Sequence, residues 1–112
     1  MSPKDVLPRL VDLIEERKRT RPAESYVVTL LDGGVDAIAA KVREEAEELI
    51  EAAAASDDDH TANEAADLLF HVCVLLAHAE VSFDQVMDVL EGRLGVSGLV
   101  EKAGRHASQG SE

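Results

Sequence analysis

Apolar residues recur every three or four positions along most of this 112-residue chain, the spacing that puts them on one face of an α-helix. Four stretches follow this pattern, approximately residues 3–19, 35–55, 61–79 and 82–94. Pro8 then has to lie in the first turn of the first helix, where a missing N–H is tolerated. The pattern predicts an all-α fold, a bundle of four to five helices.

The segments between these helices carry turn and capping signals. Residues 25–31 are rich in β-branched side chains that suit a strand or an ordered loop, and we interpret them as a loop with one helical turn. Thr61 and Glu64 have the spacing of a capping box, as do Ser82 and Gln85. Both pairs are predicted to begin a helix.

The size and composition are those of one folded domain. Hydrophobic residues make up 46% of the chain, and no internal repeat or linker divides it. We predict a single domain over residues 1–107 and a frayed tail at 108–112. With two Phe, one Tyr and no Trp, the core of one subunit is thin, and the third helix is apolar on nearly every side. We therefore expect a homodimer.

The charge balance excludes several classes of partner. Asp and Glu number 23 against 11 Lys and Arg, a net charge of −12, which argues against binding to nucleic acid or to an anionic membrane. No apolar run approaches the roughly 18 residues of a membrane span. The N-terminus lacks a signal-peptide pattern, and the single cysteine, Cys73, forms no internal disulfide. A cytoplasmic protein is expected.

The acidic residues of the second and third helices are placed unevenly. At about 100° per residue, Lys41, Glu45 and Glu48 share one shoulder of the second helix, and Glu44 lies one step further toward its acidic back. The third helix has only one narrow polar strip. That strip consists of Glu64, Asp67, His71 and His78.

A short loop makes the second and third helices antiparallel neighbours, so their acidic residues can face each other. The predicted cluster consists of Glu45, Glu48, Glu64 and Asp67. Four converging carboxylates repel one another unless a cation lies among them. An all-oxygen site favours Mg²⁺, Mn²⁺ or Ca²⁺ over zinc, and an open carboxylate site is how enzymes hold Mg²⁺ on substrate phosphates. Any phosphate ligand of so acidic a chain needs cations to mediate its binding.

Structural explanations remain open for most of these residues. Glu64 could simply close the capping box, and the glutamates of the second helix could form a solvated face balanced by Lys41. Lys41 could contact a phosphate or merely reduce carboxylate repulsion. Asp67 fits neither explanation, because it lies beyond the first turn of an apolar helix where an unpaired buried charge is costly. His71 and His78 are interpreted as core or interface residues rather than as ligands.

Several short sequence motifs resemble those of one protein family. The pattern EExxE followed by ExxD, at positions 44–48 and 64–67, resembles the all-α nucleotide pyrophosphohydrolases, which include MazG-like enzymes and dimeric dUTPases. Four further motifs narrow the resemblance to the phosphoribosyl-ATP pyrophosphatases of histidine biosynthesis. They are SY at 25–26, KVREEA at 41–46, EAADLLFH at 64–71 and GVSG at 95–98. Phe70 stands where that family is expected to have tyrosine.

The resemblance implies a reaction for this chain and roles for the residues at matching positions. The family hydrolyses N1-(5-phosphoribosyl)-ATP to phosphoribosyl-AMP and pyrophosphate with Mg²⁺. Carried onto matching positions, the metal ligands are Glu45, Glu48, Glu64 and Asp67. Glu44 becomes a further ligand or a base, and Lys41 can offer a charge to phosphate. Candidates for binding the other phosphates are the late basic residues Arg93, Lys102 and Arg105.

Three other functions use helical bundles or clustered carboxylates. A ferritin-like di-iron site needs Glu-x-x-His pairs, which the four histidines do not form. A non-catalytic helical interaction module explains the bundle but not Asp67. A house-cleaning nucleoside triphosphate pyrophosphohydrolase of the same superfamily shares the metal site and is the principal alternative.

Overall fold

A computed structural model of the chain describes residues 2–94, and these residues form helices without a strand. A 3-10 turn at Pro3–Asp5 leads into α1 (Val6–Thr20), and α2 (Tyr26–Ala54) follows. The last two helices are α3 (Asp58–Ala79) and α4 (Phe83–Arg93). The predicted all-α fold is confirmed.

Residues 26–31 are helical, so the interpretation of residues 25–31 as a loop with one helical turn was wrong. Ser25 caps α2, its Oγ accepting a hydrogen bond from the N–H of Val28 at 3.3 Å. The β-branched Val27 and Val28 are buried against the other helices, and burial outweighs their weak preference against a helix. The break that the sequence suggested lies at Gly34, whose φ of 77° interrupts the helical backbone of α2 and favours glycine.

The start of α3 also differs from the prediction. Asp57 is the N-cap, and its Oδ1 accepts from the N–H of His60 at 3.1 Å. Thr61 lies inside the helix and donates its hydroxyl to the Asp57 carbonyl at 2.6 Å. Glu64 therefore does not close a capping box with Thr61. The predicted box of Ser82 and Gln85 at the start of α4 is present.

The core lies where α1 packs against the pair formed by α2 and α3. Its buried members are Ile14, Val27, Leu30, Ile38, Cys73, Val74 and Ala77. The side chain of Lys18 ties α1 to the end of α3, where its Nζ donates to the Ala77 carbonyl at 2.7 Å. Burial raises the pKa of the Cys73 thiol, consistent with the small core residue expected from the sequence.

The fourth helix buries none of its residues in the single chain. Val89, Leu90 and the adjoining Leu94 are at least half exposed. Over residues 2–94 no single helix has the length and apolar character to cross a membrane; α3 and α4 meet that test only together, across a bend of 113°.

Candidate metal centre

Three carboxylates meet between α2 and α3. One oxygen from each of Glu45, Glu48 and Glu64 lies within 4.8 Å of the others. The helices are antiparallel: Glu45, far along α2, meets Glu64 near the start of α3, while Tyr26 at the start of α2 meets His71 further along α3. The three-residue connection between the helices brings the acidic shoulder of α2 against α3, as predicted.

Two of these carboxylates are buried, and within residues 2–94 one oxygen of each has no hydrogen-bond partner. Glu45 is 6% exposed and Glu64 is 9% exposed. Within the described part of the chain, the Oε2 atoms of both residues are buried and have no hydrogen-bond partner. A buried anion without a partner is strongly destabilising, and a cation would supply the missing interaction. The oxygen-only donor set fits Mg²⁺.

The crowding of these acids changes the pKa of Glu64. The hydrogen bond that protonated Glu64 can share with Glu48, then burial, then a hydrogen bond that the same protonated form can share with Glu45 raise the pKa of Glu64 to about 7. His60 opposes this shift by favouring the charged carboxylate. Without a cation, the cluster therefore retains a proton that free glutamate would lose near pH 4.5.

Lys41 places a positive charge beside the cluster. Its Nζ lies 3.5 Å from Glu44 Oε2 and 3.7 Å from Glu45 Oε1. Partial burial opposes the charged amine, but the combined attraction of Glu44, Tyr26 and Glu45 outweighs it and raises the pKa of Lys41. Lys41 thus remains cationic. Glu44 is half exposed and lies outside the three-carboxylate cluster.

Asp67 is not part of the cluster in this structure. It is exposed and lies outside the group of three glutamates, so the expectation that it is buried was wrong. Its backbone carbonyl accepts a 2.7 Å hydrogen bond from His71 Nδ1.

His71 is a buried residue with both ring nitrogens satisfied. Because a carbonyl can only accept, Nδ1 carries the proton that bonds to Asp67, and in the neutral ring Nε2 accepts from the Tyr26 hydroxyl at 3.0 Å. The ring also packs edge-on against Phe70, at 5.0 Å between centroids. His71 is the core histidine that the sequence suggested, whereas His78 is exposed.

His60 is a neighbour of the cluster that the sequence reasoning missed. Its Nε2 lies 3.1 Å from Glu64 Oε1. The signal was the spacing of four residues between His60 and Glu64, which places two side chains on the same face of a helix. A helix that begins at Thr61, as predicted, leaves His60 outside it, whereas α3 begins at Asp58 and includes His60.

An open cleft of about 480 Å³ adjoins the cluster. Its lining includes Glu48, Glu51, Asp57, His60 and Glu64. The volume lies within the range of small-molecule sites, and the acidic lining would repel a bare phosphate. Among the predicted phosphate contacts, Arg93 is exposed at the end of α4, and Lys102 and Arg105 lie outside the described residues.

Fold and site together define an all-α protein with a carboxylate centre between two antiparallel helices. The profile of the family described as phosphoribosyl-ATP pyrophosphohydrolase matches residues 7–93. The chain belongs to this family, which confirms the resemblance seen in its sequence and its expected place among the hydrolases.

Individual proteins agree with this assignment. The chain is 47% identical to a phosphoribosyl-ATP pyrophosphatase of Nitrosospira multiformis, over 96% of its own length and 88% of that protein. It is 46% identical to one of Rhodopirellula baltica, over 97% of its length and 95% of that protein. A third, from Neisseria meningitidis, is 45% identical over 92% of this chain and 96% of the relative.

Proposed function

We propose that this chain hydrolyses N1-(5-phosphoribosyl)-ATP between its α and β phosphates, releasing phosphoribosyl-AMP and pyrophosphate, the second step of histidine biosynthesis. The observation that carries the proposal is the pair of buried, unpartnered Oε2 atoms of Glu45 and Glu64, within a family match that covers most of the chain. A cation would pair with these oxygens once the cluster is ionised, and it would also offset the repulsion between a triphosphate substrate and an acidic protein.

Mg²⁺ is the proposed cofactor. Glu45, Glu48 and Glu64 would hold it, with Asp67 proposed as a fourth ligand that reaches the site from its exposed position. Bound there, Mg²⁺ supplies positive charge to the phosphate oxygens and lowers the repulsion between substrate and protein.

The chain's own residues would perform the remaining work. Lys41, which is cationic and lies beside Glu45, would donate a hydrogen bond to a phosphate oxygen. Glu44, half exposed, would accept a proton from the attacking water as the water oxygen bonds to the α phosphorus and the bond to pyrophosphate breaks, while Glu45 would help to hold the Mg²⁺ beside the reacting phosphate. Contacts to the ribose 5-phosphate or the pyrophosphate are proposed for Arg93, Lys102 and Arg105.

The substrate test compares pyrophosphate release from phosphoribosyl-ATP, ATP, dUTP and dCTP, with and without Mg²⁺. We expect release from phosphoribosyl-ATP, dependent on Mg²⁺, to exceed release from the other three. Equal or faster turnover of the ordinary triphosphates would favour a house-cleaning enzyme instead.

The affinity for Mg²⁺ should rise with pH. The pKa of Glu64 is raised to about 7 in the metal-free protein, so below that pH the metal must displace a proton from the cluster. Calorimetric titration at pH 5, 6, 7 and 8 is expected to show tightening up to about pH 8. An affinity that is flat over this interval would contradict a converged carboxylate site.

A second copy of the chain is the proposed partner. A groove between the start of α1 and α3 is lined only by apolar side chains, among them Val6 at 54% exposure and Leu69 at 51%. The exposed apolar residues of α4 add further uncovered surface. A symmetric copy carries the same apolar faces and would cover them in a homodimer. We propose the cytoplasm as its location.

A further inference from the structure

We propose that His60 is a positioning residue, which holds one oxygen of Glu64 by a hydrogen bond so that the carboxylate stays directed into the metal centre. The inference rests on the proposed function, because it assigns a role within the proposed Mg²⁺ site.

The cap of α3 fixes the backbone position of His60. Asp57 caps α3 by accepting from the N–H of His60, so His60 lies in the first turn with a defined backbone conformation. Glu64 follows one turn later on the same face of the helix. The imidazole Nε2 reaches Glu64 Oε1 at 3.1 Å.

The two oxygens of Glu64 then have different environments. Oε1 is held by the imidazole, whereas Oε2 is buried without a partner. A single contact on Oε1 restricts rotation of the carboxylate about its last bond. Hydrogen bonds from residues outside the ligand set orient ligating carboxylates in this way, and their loss lowers metal affinity.

His60 acts through Glu64 rather than as a ligand itself. Within residues 2–94, the side chains whose ligand atoms come together comprise three glutamates and do not include His60. The imidazole side chain is 54% exposed and lines the acidic cleft. Its removal therefore leaves no hole in the core, and a change in metal affinity can be separated from loss of the fold.

Calorimetric titration of Mg²⁺ at pH 8, without substrate, tests the inference. Four variants are compared with the parent: His60→Ala, His60→Gln, His78→Ala and Glu64→Gln. We expect the Kd of His60→Ala to rise about 10-fold or more. His60→Gln should recover most of this affinity, because its amide can donate to Oε1. His78, exposed at the far end of α3, is the matched control and should change nothing.

The outcomes separate this inference from the proposed function. If Glu64→Gln loses Mg²⁺ binding while His60→Ala binds as tightly as the parent, the positioning role is wrong and the metal site stands. Equal losses in His60→Ala and His60→Gln, or in His60→Ala and His78→Ala, would also overturn the role. A parent protein that does not bind Mg²⁺ would overturn both proposals. Melting of each metal-free variant checks that the fold is retained.

Discussion

Replacing Glu64 by glutamine is expected to abolish pyrophosphate release and yet stabilise the metal-free protein above pH 7. Losing partners outside a ligand set already costs roughly 10–100-fold in affinity or activity, so loss of a ligand should cost about 100-fold or more. The neutral amide cannot serve as the anionic ligand, but it can donate hydrogen bonds to Glu45 and Glu48.

The sign of the stability change follows from the raised pKa. The folded protein holds the Glu64 proton up to about pH 7, whereas the unfolded chain releases it near 4.5. The parent therefore loses stability as pH rises through this interval. Glutamine stays neutral, so the advantage of the variant in thermal melting should be absent at pH 4 and largest at pH 8.

Glu47→Gln is the matched control, because it removes one charge from an exposed position of α2. It should change neither turnover nor the pH dependence of melting. If Glu64→Gln instead destabilises the metal-free protein at pH 8 and keeps its activity, Glu64 supports the fold and does not bind the metal.

Replacing Leu69 by lysine is expected to convert a dimer into a folded monomer. Leu69 is half exposed in the single chain, so the subunit loses little when it is replaced, whereas a charge placed in an apolar interface disfavours association. Light scattering should give the mass of two subunits for the parent and of one for the variant. Circular dichroism should remain helical for both.

Leu69→Met controls for the substitution itself, because it keeps an apolar side chain of similar size. It should remain dimeric. If the Leu69→Lys variant folds and keeps the dimeric mass of the parent, the dimer interface lies on a face that does not include Leu69. A parent protein that is monomeric at micromolar concentration would contradict the proposed dimer.

Helical periodicity was sufficient to predict the all-α fold and the pairing of α2 with α3. It failed at residues 25–31, where local preference suggested a loop but Val27, Val28 and Leu30 are buried in the core. Tertiary packing decided that segment, and a local pattern cannot report which neighbour covers it.

The sequence predicted only part of the site, again because a local pattern does not show which neighbour covers a residue. The facing carboxylates of Glu45, Glu48 and Glu64 follow from spacing on antiparallel helices, and the structure brings them together. The exposure of Asp67 depends on which side of an apolar helix receives a neighbour, which spacing does not specify. His60 was missed because Thr61 was predicted to begin the third helix, whereas Asp57 caps it and places His60 in the first turn.

Anomalous diffraction from crystals grown with Mn²⁺, an ion that accepts the same oxygen ligands, tests the central claim most directly. We expect a manganese peak in contact with the carboxylates of Glu45, Glu48 and Glu64. A peak bound elsewhere, with these three side chains unligated, would contradict it.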